Sequence, residues 1–248
     1  MKFKGKWGFT VVLAIAAVIS LFWKGAVYVF TPGSIVETVP AHGSVDIPLY
    51  SEIIIYAKDR VERASVMITG MPGETRVEET AVIFKPRRVF MPDTWYDVKA
   101  QIYTGRNKEV VNFSFKTADL GDEMWIEIDL SDMNRVIVYK GKKIVRVMLA
   151  SGGIPGGEYE TPKGIFAAGD RGESFFTPRF GQGGLYWVRV YESYFLHSMP
   201  RDEEGNIIPE ELEKLGTHAS HGCIRLLDED AIWVYDNVPR GSMIIVHD

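Results

Sequence analysis

The chain has 248 residues, of which 46% are apolar and 25% are charged, with a formal net charge of −5. These proportions are those of a globular protein and exclude a disordered chain, a collagen-like chain and a polytopic membrane protein. No basic stripe is present to neutralise a phosphate backbone, so nucleic acid is not expected as a partner. Cys223 is the single cysteine, which excludes an internal disulfide and a CxxC motif.

The first 30 residues have the pattern of an export signal. Three lysines among the first six residues precede an uncharged run from Trp7 to Trp23, and only Lys24 interrupts the apolar residues that continue to position 30. About 20 apolar residues suffice to cross the hydrocarbon core of a membrane. We predict an uncleaved membrane anchor over residues 1–30, with a cleaved signal peptide as the alternative. Either segment would place the rest of the chain outside the cytoplasm.

Residues 31–118 are predicted to form an all-β sandwich. Short apolar or alternating runs separated by turn signals every 8–12 residues are typical of that fold. The stretch also resembles bacterial immunoglobulin-like modules, which often open with a Pro-x-x-Gly segment such as Pro40 to Gly43. No group of acid, base and nucleophile is present in it, so we expect a spacer or docking module. The predicted strands are 51–57, 64–69, 81–85, 95–103 and 110–116.

Residues 119–248 are predicted to form a second β-rich domain with few helices. Alternating apolar residues predict strands over 124–130, 135–139, 143–150, 185–191, 194–197 and 242–247. Proline fits the first position of a helix, so Pro209 predicts a short helix that continues over 210–215. Asp228 is predicted to cap a second helix over 229–237. The predicted fold class of the whole chain is therefore mainly β.

The segment from Thr217 to Arg225 reads THASHGCIR and contains the residue types of a thiol nucleophile. A cysteine attacks as the thiolate, so it needs a nearby base or a positive field that lowers its pKa. Gly222 permits a tight turn in which backbone N–H groups can stabilise an oxyanion. Arg225 supplies a permanent charge suited to a carboxylate. The alternative on spacing alone is that Cys223 is a small buried apolar residue.

The run from Ser220 to Arg225 resembles the signature of the L,D-transpeptidases, the cysteine enzymes that cross-link or trim peptidoglycan. The resemblance extends to His197 as the earlier histidine of that signature, to the segment 161–166 (TPKGIF) and to the Ser-Gly-Gly turn at 151–153. It covers about residues 122–248 and implies a β-sandwich of the L,D-transpeptidase type. His197 and Cys223 are 26 positions apart, a longer gap than is usual in the family. We expect the extra residues, 201–206 and 209–215, to form a polar surface excursion of little energetic cost.

The resemblance implies a role for each matching residue. Cys223 matches the nucleophile, and His197 matches the general base that takes the thiol proton and later protonates the leaving amine. Ser198 matches the residue whose backbone carbonyl orients that imidazole, and Gly222 and Cys223 match the oxyanion donors. Arg225 matches the position expected to meet a stem-peptide carboxylate, and Ser220 and His221 match motif residues that hold the loop in shape, with a catalytic role of His221 as the alternative. Tyr186 and Trp187 flank a Gly/Pro-rich loop, where such residues either belong to the core or line the donor groove.

The implied reaction is acyl transfer outside the cytoplasmic membrane. Cys223 would attack the amide carbonyl of the third residue of a tetrapeptide stem, the terminal D-alanine would leave, and a neighbouring stem amine would resolve the thioester into a cross-link between two third residues. Attack by water would make the enzyme an L,D-carboxypeptidase that trims stems. The chemistry requires no cofactor, the expected partners are peptidoglycan stem peptides and the membrane, and the sequence gives no oligomeric state.

Two other interpretations of the same residues stay open at this point. His218, His221, Cys223 and His197 are residue types that bind zinc, although no HExxH or paired CxxC motif supports such a site. The sandwich and the anchor also suit a non-catalytic adaptor that binds the cell wall. Thiol chemistry distinguishes the enzyme from the adaptor, because only the enzyme needs Cys223 to react faster than it does in a His197→Ala variant.

Overall fold

The computed structural model describes residues 33–248, which form seventeen β-strands and two short helices. The predicted membrane anchor at 1–30 lies outside the described residues. Within residues 33–248, neither helix has the length and apolar character needed to cross a bilayer. The prediction that the chain is mainly β is confirmed.

The first eight strands form two four-stranded sheets that share one core. The sheet orders are β1-β3-β6-β5 and β2-β8-β7-β4. In β7 the side chains of Val98, Ala100 and Ile102 point inward at every second position and are buried, as the alternating pattern predicts. The strands are β1 Ile35–Val39, β2 Ser44–Ile47, β3 Ile53–Ala57, β4 Arg63–Ile68, β5 Gly73–Glu78, β6 Ala81–Pro86, β7 Trp95–Thr104 and β8 Asn107–Thr117.

The remaining strands form one nine-stranded sheet in the order β12-β17-β9-β10-β11-β16-β15-β14-β13. Its buried residues form a core with helix α2, to which Ala231 and Val234 contribute. The strands are β9 Met124–Asp129, β10 Arg135–Lys140, β11 Lys143–Ser151, β12 Gly164–Ala167, β13 Arg171–Thr177, β14 Gln182–Tyr191, β15 Tyr194–His197, β16 Ile224–Leu226 and β17 Met243–His247. The helices are α1 Pro209–Leu212 and α2 Asp228–Asn237.

Both helices differ in detail from the prediction. Helix α1 begins at Pro209, as expected, but is a single turn that ends at Leu212. Asp228 is the first residue of α2 rather than its cap, and Leu227 occupies the cap position without a side-chain hydrogen bond. The Asp228 carboxylate instead pairs with Arg201 in the crossover that leads to the site. The Asp228 carboxylate therefore accepts from Arg201 and does not cap the N–H groups at the start of α2.

Strands β15 and β16 bring the candidate catalytic residues His197 and Cys223 together. They pair in parallel, with Leu196 opposite Ile224 and His197 opposite Arg225. Side chains two residues apart project from the same face of a strand. The thiol of Cys223, which precedes β16, and the His197 imidazole are thereby brought to one face across adjacent strands, although 26 residues separate them in the chain.

Candidate active site

A groove of about 410 Å³ contains both the thiol and the imidazole. Cys223 and His197 line it together with Ser220, His221 and Arg225, which brings five of the nine sequence-predicted site residues to one cavity. Cys223 is partly exposed, whereas His197 is only 4% exposed. The Cys223 Sγ lies 3.8 Å from the carbonyl oxygen of Ser193, a distance at which S–H is a weak donor.

The His197 imidazole is held in a defined orientation. Its Nδ1 lies 2.7 Å from the backbone oxygen of Ser198, which is the hydrogen bond that the family resemblance implied. If Nδ1 carries the proton and donates it to that carbonyl, the opposite nitrogen, Nε2, is the proton acceptor. Ser198 is in turn fixed on both sides, because its hydroxyl accepts from the Leu185 N–H and donates to the Met199 carbonyl oxygen.

Burial determines the charge state of the pair. It lowers the pKa of His197 to about 3, with a further contribution from the positive charge of Arg225. Burial also raises the pKa of the Cys223 thiol, and this outweighs the lowering by the Phe195 backbone and Arg225. A lowered imidazole pKa and a raised thiol pKa both favour the neutral forms at pH 7. The thiol pKa is thus raised rather than lowered, and the groove holds a neutral thiol and a neutral imidazole.

A hydrogen-bonded frame holds the loop in front of Cys223. The Ser220 hydroxyl accepts from the Gly222 N–H (3.0 Å) and donates to the Cys223 carbonyl oxygen (2.5 Å). The Thr161 hydroxyl donates to the Gly222 carbonyl oxygen (2.9 Å) and accepts from the Gly153 N–H (2.9 Å). The Ser-Gly-Gly and Thr-Pro segments noticed in the sequence thus serve to brace this loop.

The expected oxyanion role of Gly222 is corrected by the same frame. Its N–H is already engaged by Ser220, so it is not available to an oxyanion in this conformation. Its contribution is conformational, because its φ of +113° favours glycine. A Cβ atom at this position would also come within 2.4 Å of the Tyr194 ring.

Arg225 does not face the groove as a free carboxylate receptor. The side chain is almost fully buried and donates to the carboxylate of Glu211, to the Ala219 carbonyl oxygen (3.2 Å) and to Gln182 Oε1 (3.0 Å). Its charge is thus compensated by protein groups, since an unpaired buried guanidinium would be very costly. In this structure Arg225 holds protein groups together, and its expected contact with a stem-peptide carboxylate stays a prediction.

The long crossover between β15 and β16 is therefore more than a surface excursion. Glu211 lies in α1 inside the extra residues, is 9% exposed, and accepts from both Arg225 and Lys214. This ion pair could not be predicted from the sequence, because adjacent glutamates on a short polar helix are usually solvated. The crossover thus stabilises the Ser-His-Gly-Cys motif through the ion pair between Glu211 and Arg225.

Replacing Glu211 with glutamine is expected to lower the free energy of unfolding by about 3 kcal/mol, because it leaves the Arg225 charge buried without a counter-ion. Urea unfolding followed by circular dichroism measures the change. Glu210→Gln is the matched control, since Glu210 is the exposed neighbour on the same helix and its replacement should change stability by less than about 0.5 kcal/mol. Equal stabilities of the two variants would contradict the assignment.

The two predicted aromatic groove residues lie elsewhere. The Tyr186 ring packs against Tyr235 of α2 and the core, with ring centroids 5.8 Å apart. The Trp187 ring packs against Phe195, and its N–H donates to the Ser174 carbonyl oxygen. The Trp187 side chain thus has partners for its ring and its N–H within the protein, and neither Tyr186 nor Trp187 is among the residues that line the groove. Their expected part in substrate binding stays a prediction. The aromatic residues that do line it are Tyr159, Phe175, Phe180, Tyr194 and Phe195.

The other two histidines of the motif have separate environments. His221 stacks on Phe180, with centroids 3.9 Å apart and an interplanar angle of 3°, and meets Tyr159 edge-on. His218 Nδ1 lies 3.0 Å from the Gly153 carbonyl oxygen, and its ring lines a different cavity. The four residues of the zinc alternative do not converge, and within 33–248 no three His, Cys, Asp or Glu side chains are grouped as metal ligands.

The sequence patterns did not indicate that two glycines of β14 would lie at the site. A Cβ atom on Gly184 would lie 2.5 Å from His197 Nδ1, and one on Gly183 would lie 2.2 Å from the Phe175 carbonyl oxygen. The missing side chain at Gly184 is what lets the imidazole pack against β14. A glycine pair inside a predicted strand is the signal that could have indicated this close approach.

Comparison with known proteins gives the family. The model of the YkuD family, described as the L,D-transpeptidase catalytic domain, matches residues 123–246. The putative L,D-transpeptidase YciB of Bacillus subtilis (strain 168) is 36% identical over 126 residues, which cover 50% of this chain and 65% of that protein. The chain thus spans less than two thirds of the length of this relative.

Solved structures with similarity include two from mycobacteria. An L,D-transpeptidase from Mycobacterium smegmatis is 24% identical, with a TM-score of 0.41 and coverage of 88% of this chain and 100% of the other. An L,D-transpeptidase from Mycobacterium tuberculosis H37Rv is 22% identical, with a TM-score of 0.42 and coverage of 87% and 98%. The family model spans half of the chain and includes both His197 and Cys223, and the chain therefore belongs to the L,D-transpeptidase catalytic domain family.

Proposed function

We propose that the protein is a peptidoglycan L,D-transpeptidase that acts through a Cys223 thioester. The observation that carries the proposal is that one groove holds both a partly exposed thiol and an imidazole oriented by the Ser198 carbonyl. His197 ends β15, and Cys223 immediately precedes the parallel strand β16. The substrates are stem peptides of the cell wall, and the reaction takes place outside the cytoplasm. This location rests on the sequence of residues 1–30, which we assign as a signal anchor.

In the proposed mechanism, proton transfer accompanies attack. Because the resting pair is neutral, His197 Nε2 takes the thiol proton as Cys223 Sγ bonds to the carbonyl carbon of the third stem residue. The Ser198 carbonyl stabilises the imidazolium that forms. We assign the Cys223 N–H to the oxyanion. The imidazolium then protonates the leaving D-alanine amine. The amine of a second stem attacks the thioester carbonyl, the C–S bond breaks to complete the cross-link, and His197 transfers the amine proton to the Cys223 sulfur.

Mass spectrometry of the purified protein mixed with a disaccharide-tetrapeptide tests the reaction. We expect a mass gain on Cys223 that corresponds to the stem without its terminal alanine, and no gain in a Cys223→Ser variant. The masses of the released products then separate a cross-linked dimer from a trimmed stem, which would indicate an L,D-carboxypeptidase. Intact substrate in the presence of natively folded protein would contradict the enzyme and favour the wall-binding adaptor.

The neutral pair gives a distinct pH dependence of thiol alkylation. A raised thiol pKa means that less thiolate is present at each pH below it, so the rate of Cys223 alkylation by iodoacetamide should still be rising at pH 9. A plateau below pH 8 would indicate a preformed thiolate and would contradict the charge states assigned above. In a His197→Ala variant at pH 7 the rate should fall, because the proton acceptor is lost.

We assign residues 31–118 as an immunoglobulin-like module and residues 119–248 as the catalytic domain. The two four-stranded sheets with a shared core support the first assignment. The two parts meet at a small apolar cluster in which Leu49 and Val89 pack with Trp125, Tyr139 and Ile245. The module is thus a support on which the catalytic sheet rests, consistent with a spacer between the anchor and the wall.

A further inference from the structure

Among residues 33–248, the groove has one exposed permanent cation. Of the residues that line it, only Arg179 and Arg225 carry a permanent positive charge, and Arg225 is buried against Glu211. The side chain of Arg179 is 65% exposed and lies on the turn between β13 and β14. Arg179 is therefore the guanidinium that an anionic group in the groove can reach.

The ion pair that Arg179 makes with Glu158 is readily exchanged. Its Nη2 donates to Glu158 Oε1 at 2.6 Å, and the Glu158 side chain is also 65% exposed. Exposed ion pairs contribute about 0–1 kcal/mol, so an incoming carboxylate with additional contacts can displace Glu158. A guanidinium offers five N–H donors in a planar fork that matches a carboxylate, and only one donor is used by Glu158.

The position of Arg179 over the groove is supported by an aromatic stack. Its guanidinium carbon lies 5.2 Å from the centre of the Phe180 ring, within cation–π distance. Phe180 stacks in turn on His221, two residues before the nucleophile. The guanidinium is therefore linked through the Phe180 ring to the loop that carries Cys223.

We propose that Arg179 binds a carboxylate of the stem peptide and that Glu158 occupies Arg179 until that carboxylate replaces it. This assignment rests on the proposed function, because it identifies the groove ligand as a stem. It gives Arg179 the role that the sequence had suggested for Arg225. The carboxylate is either the terminal one, one residue beyond the amide that Cys223 attacks, or a side-chain one, and the two sources differ in their test.

The first experiment measures the charge of the groove without a stem peptide. Cys223 is the single cysteine, so its alkylation by iodoacetate and by iodoacetamide compares an anionic with a neutral reagent at one atom. At low ionic strength, Arg179→Gln should lower the ratio of the iodoacetate rate to the iodoacetamide rate at least threefold, and Glu158→Gln should raise it. Both changes should shrink with added salt.

Arg240→Gln is the matched control, because Arg240 is an exposed arginine that pairs with Asp170 and does not line the groove. Its ratio should equal that of the unmodified protein. A ratio for Arg179→Gln equal to that of the control would overturn the inference.

The second experiment identifies the carboxylate. KM is measured for three tetrapeptide stems: one with free carboxylates, one amidated at the terminal carboxylate and one amidated at the side-chain carboxylates. Arg179→Gln should raise KM about tenfold for the free stem and less than twofold for the stem that lacks the relevant carboxylate. An equal effect on all three stems would overturn the assignment.

The two experiments distinguish a failure of the proposed function from a failure of the role assigned to Arg179. A changed reagent ratio without acylation of Cys223 by any stem would overturn the proposed function and leave Arg179 as the groove's anion-binding residue. Normal acylation with an unchanged ratio would overturn the role of Arg179 and leave the proposed function intact.

Discussion

Replacing His197 with alanine should lower kcat/KM for stem-peptide acyl transfer by about 10²–10⁴-fold, the usual contribution of a general acid–base residue. The loss is expected to be large because the resting thiol is protonated, so attack depends on removal of its proton during the reaction. The measurement is the rate of Cys223 acylation followed by intact-protein mass spectrometry. Cys223→Ser should abolish the acyl-enzyme and sets the background.

His218→Ala is the matched control for that change. His218 belongs to the same motif, but its ring lies against the Gly153 carbonyl oxygen and lines another cavity. Its replacement should change kcat/KM by only a few-fold. If His197→Ala kept more than a third of the activity, or if the two variants lost activity equally, His197 would not be the base.

Replacing Gly184 with alanine should reduce kcat/KM by about 10²-fold, although this residue carries no functional group. The new Cβ atom would lie 2.5 Å from His197 Nδ1, so we expect the imidazole to shift and its hydrogen bond to the Ser198 carbonyl to weaken. A displacement of about 1 Å in a reacting group can cost 10²-fold in rate. Overpacking of this kind also lowers stability by about 1–3 kcal/mol.

Gly157→Ala is the control for the Gly184 variant. A Cβ atom at Gly157 meets nothing within 4 Å, so activity and stability should stay close to those of the unmodified protein. Circular dichroism at the assay temperature shows whether the Gly184→Ala variant is folded. A folded variant with unchanged kcat/KM would mean that the packing of β14 against the imidazole does not position the base.

Local sequence patterns were sufficient for most of the strands. Apolar runs predicted β7, β9, β10 and β17 to within a few residues, because one face of β7 and nearly all of β9 and β17 are buried. The predicted runs omitted β16 and five strands that lie at sheet edges, namely β1, β2, β5, β12 and β13. In β5, for example, Glu74, Arg76 and Glu78 are exposed. Its pairing with β6 depends on backbone hydrogen bonds, which leave no hydrophobic period in the sequence.

The sequence by itself determined the reacting groups. A single cysteine in a Ser-His-Gly-Cys motif, with an earlier histidine followed by a serine, names Cys223, His197 and Ser198 before any coordinates are considered. The resemblance to the L,D-transpeptidases assigned these roles, because spacing alone left Cys223 open to the role of a small buried apolar residue.

Only the tertiary structure decided which polar groups are available to a substrate. Arg225 forms an ion pair with Glu211, and the Gly222 N–H donates to the Ser220 hydroxyl. The spacing of these residues along the chain does not predict either contact. Tyr186 and Trp187 turn out to be packing residues, while Arg179 emerges as the exposed cation of the groove. The physical reason is that burial and partner choice depend on which distant segments fold against one another, and these set both the charge and the reach of each side chain.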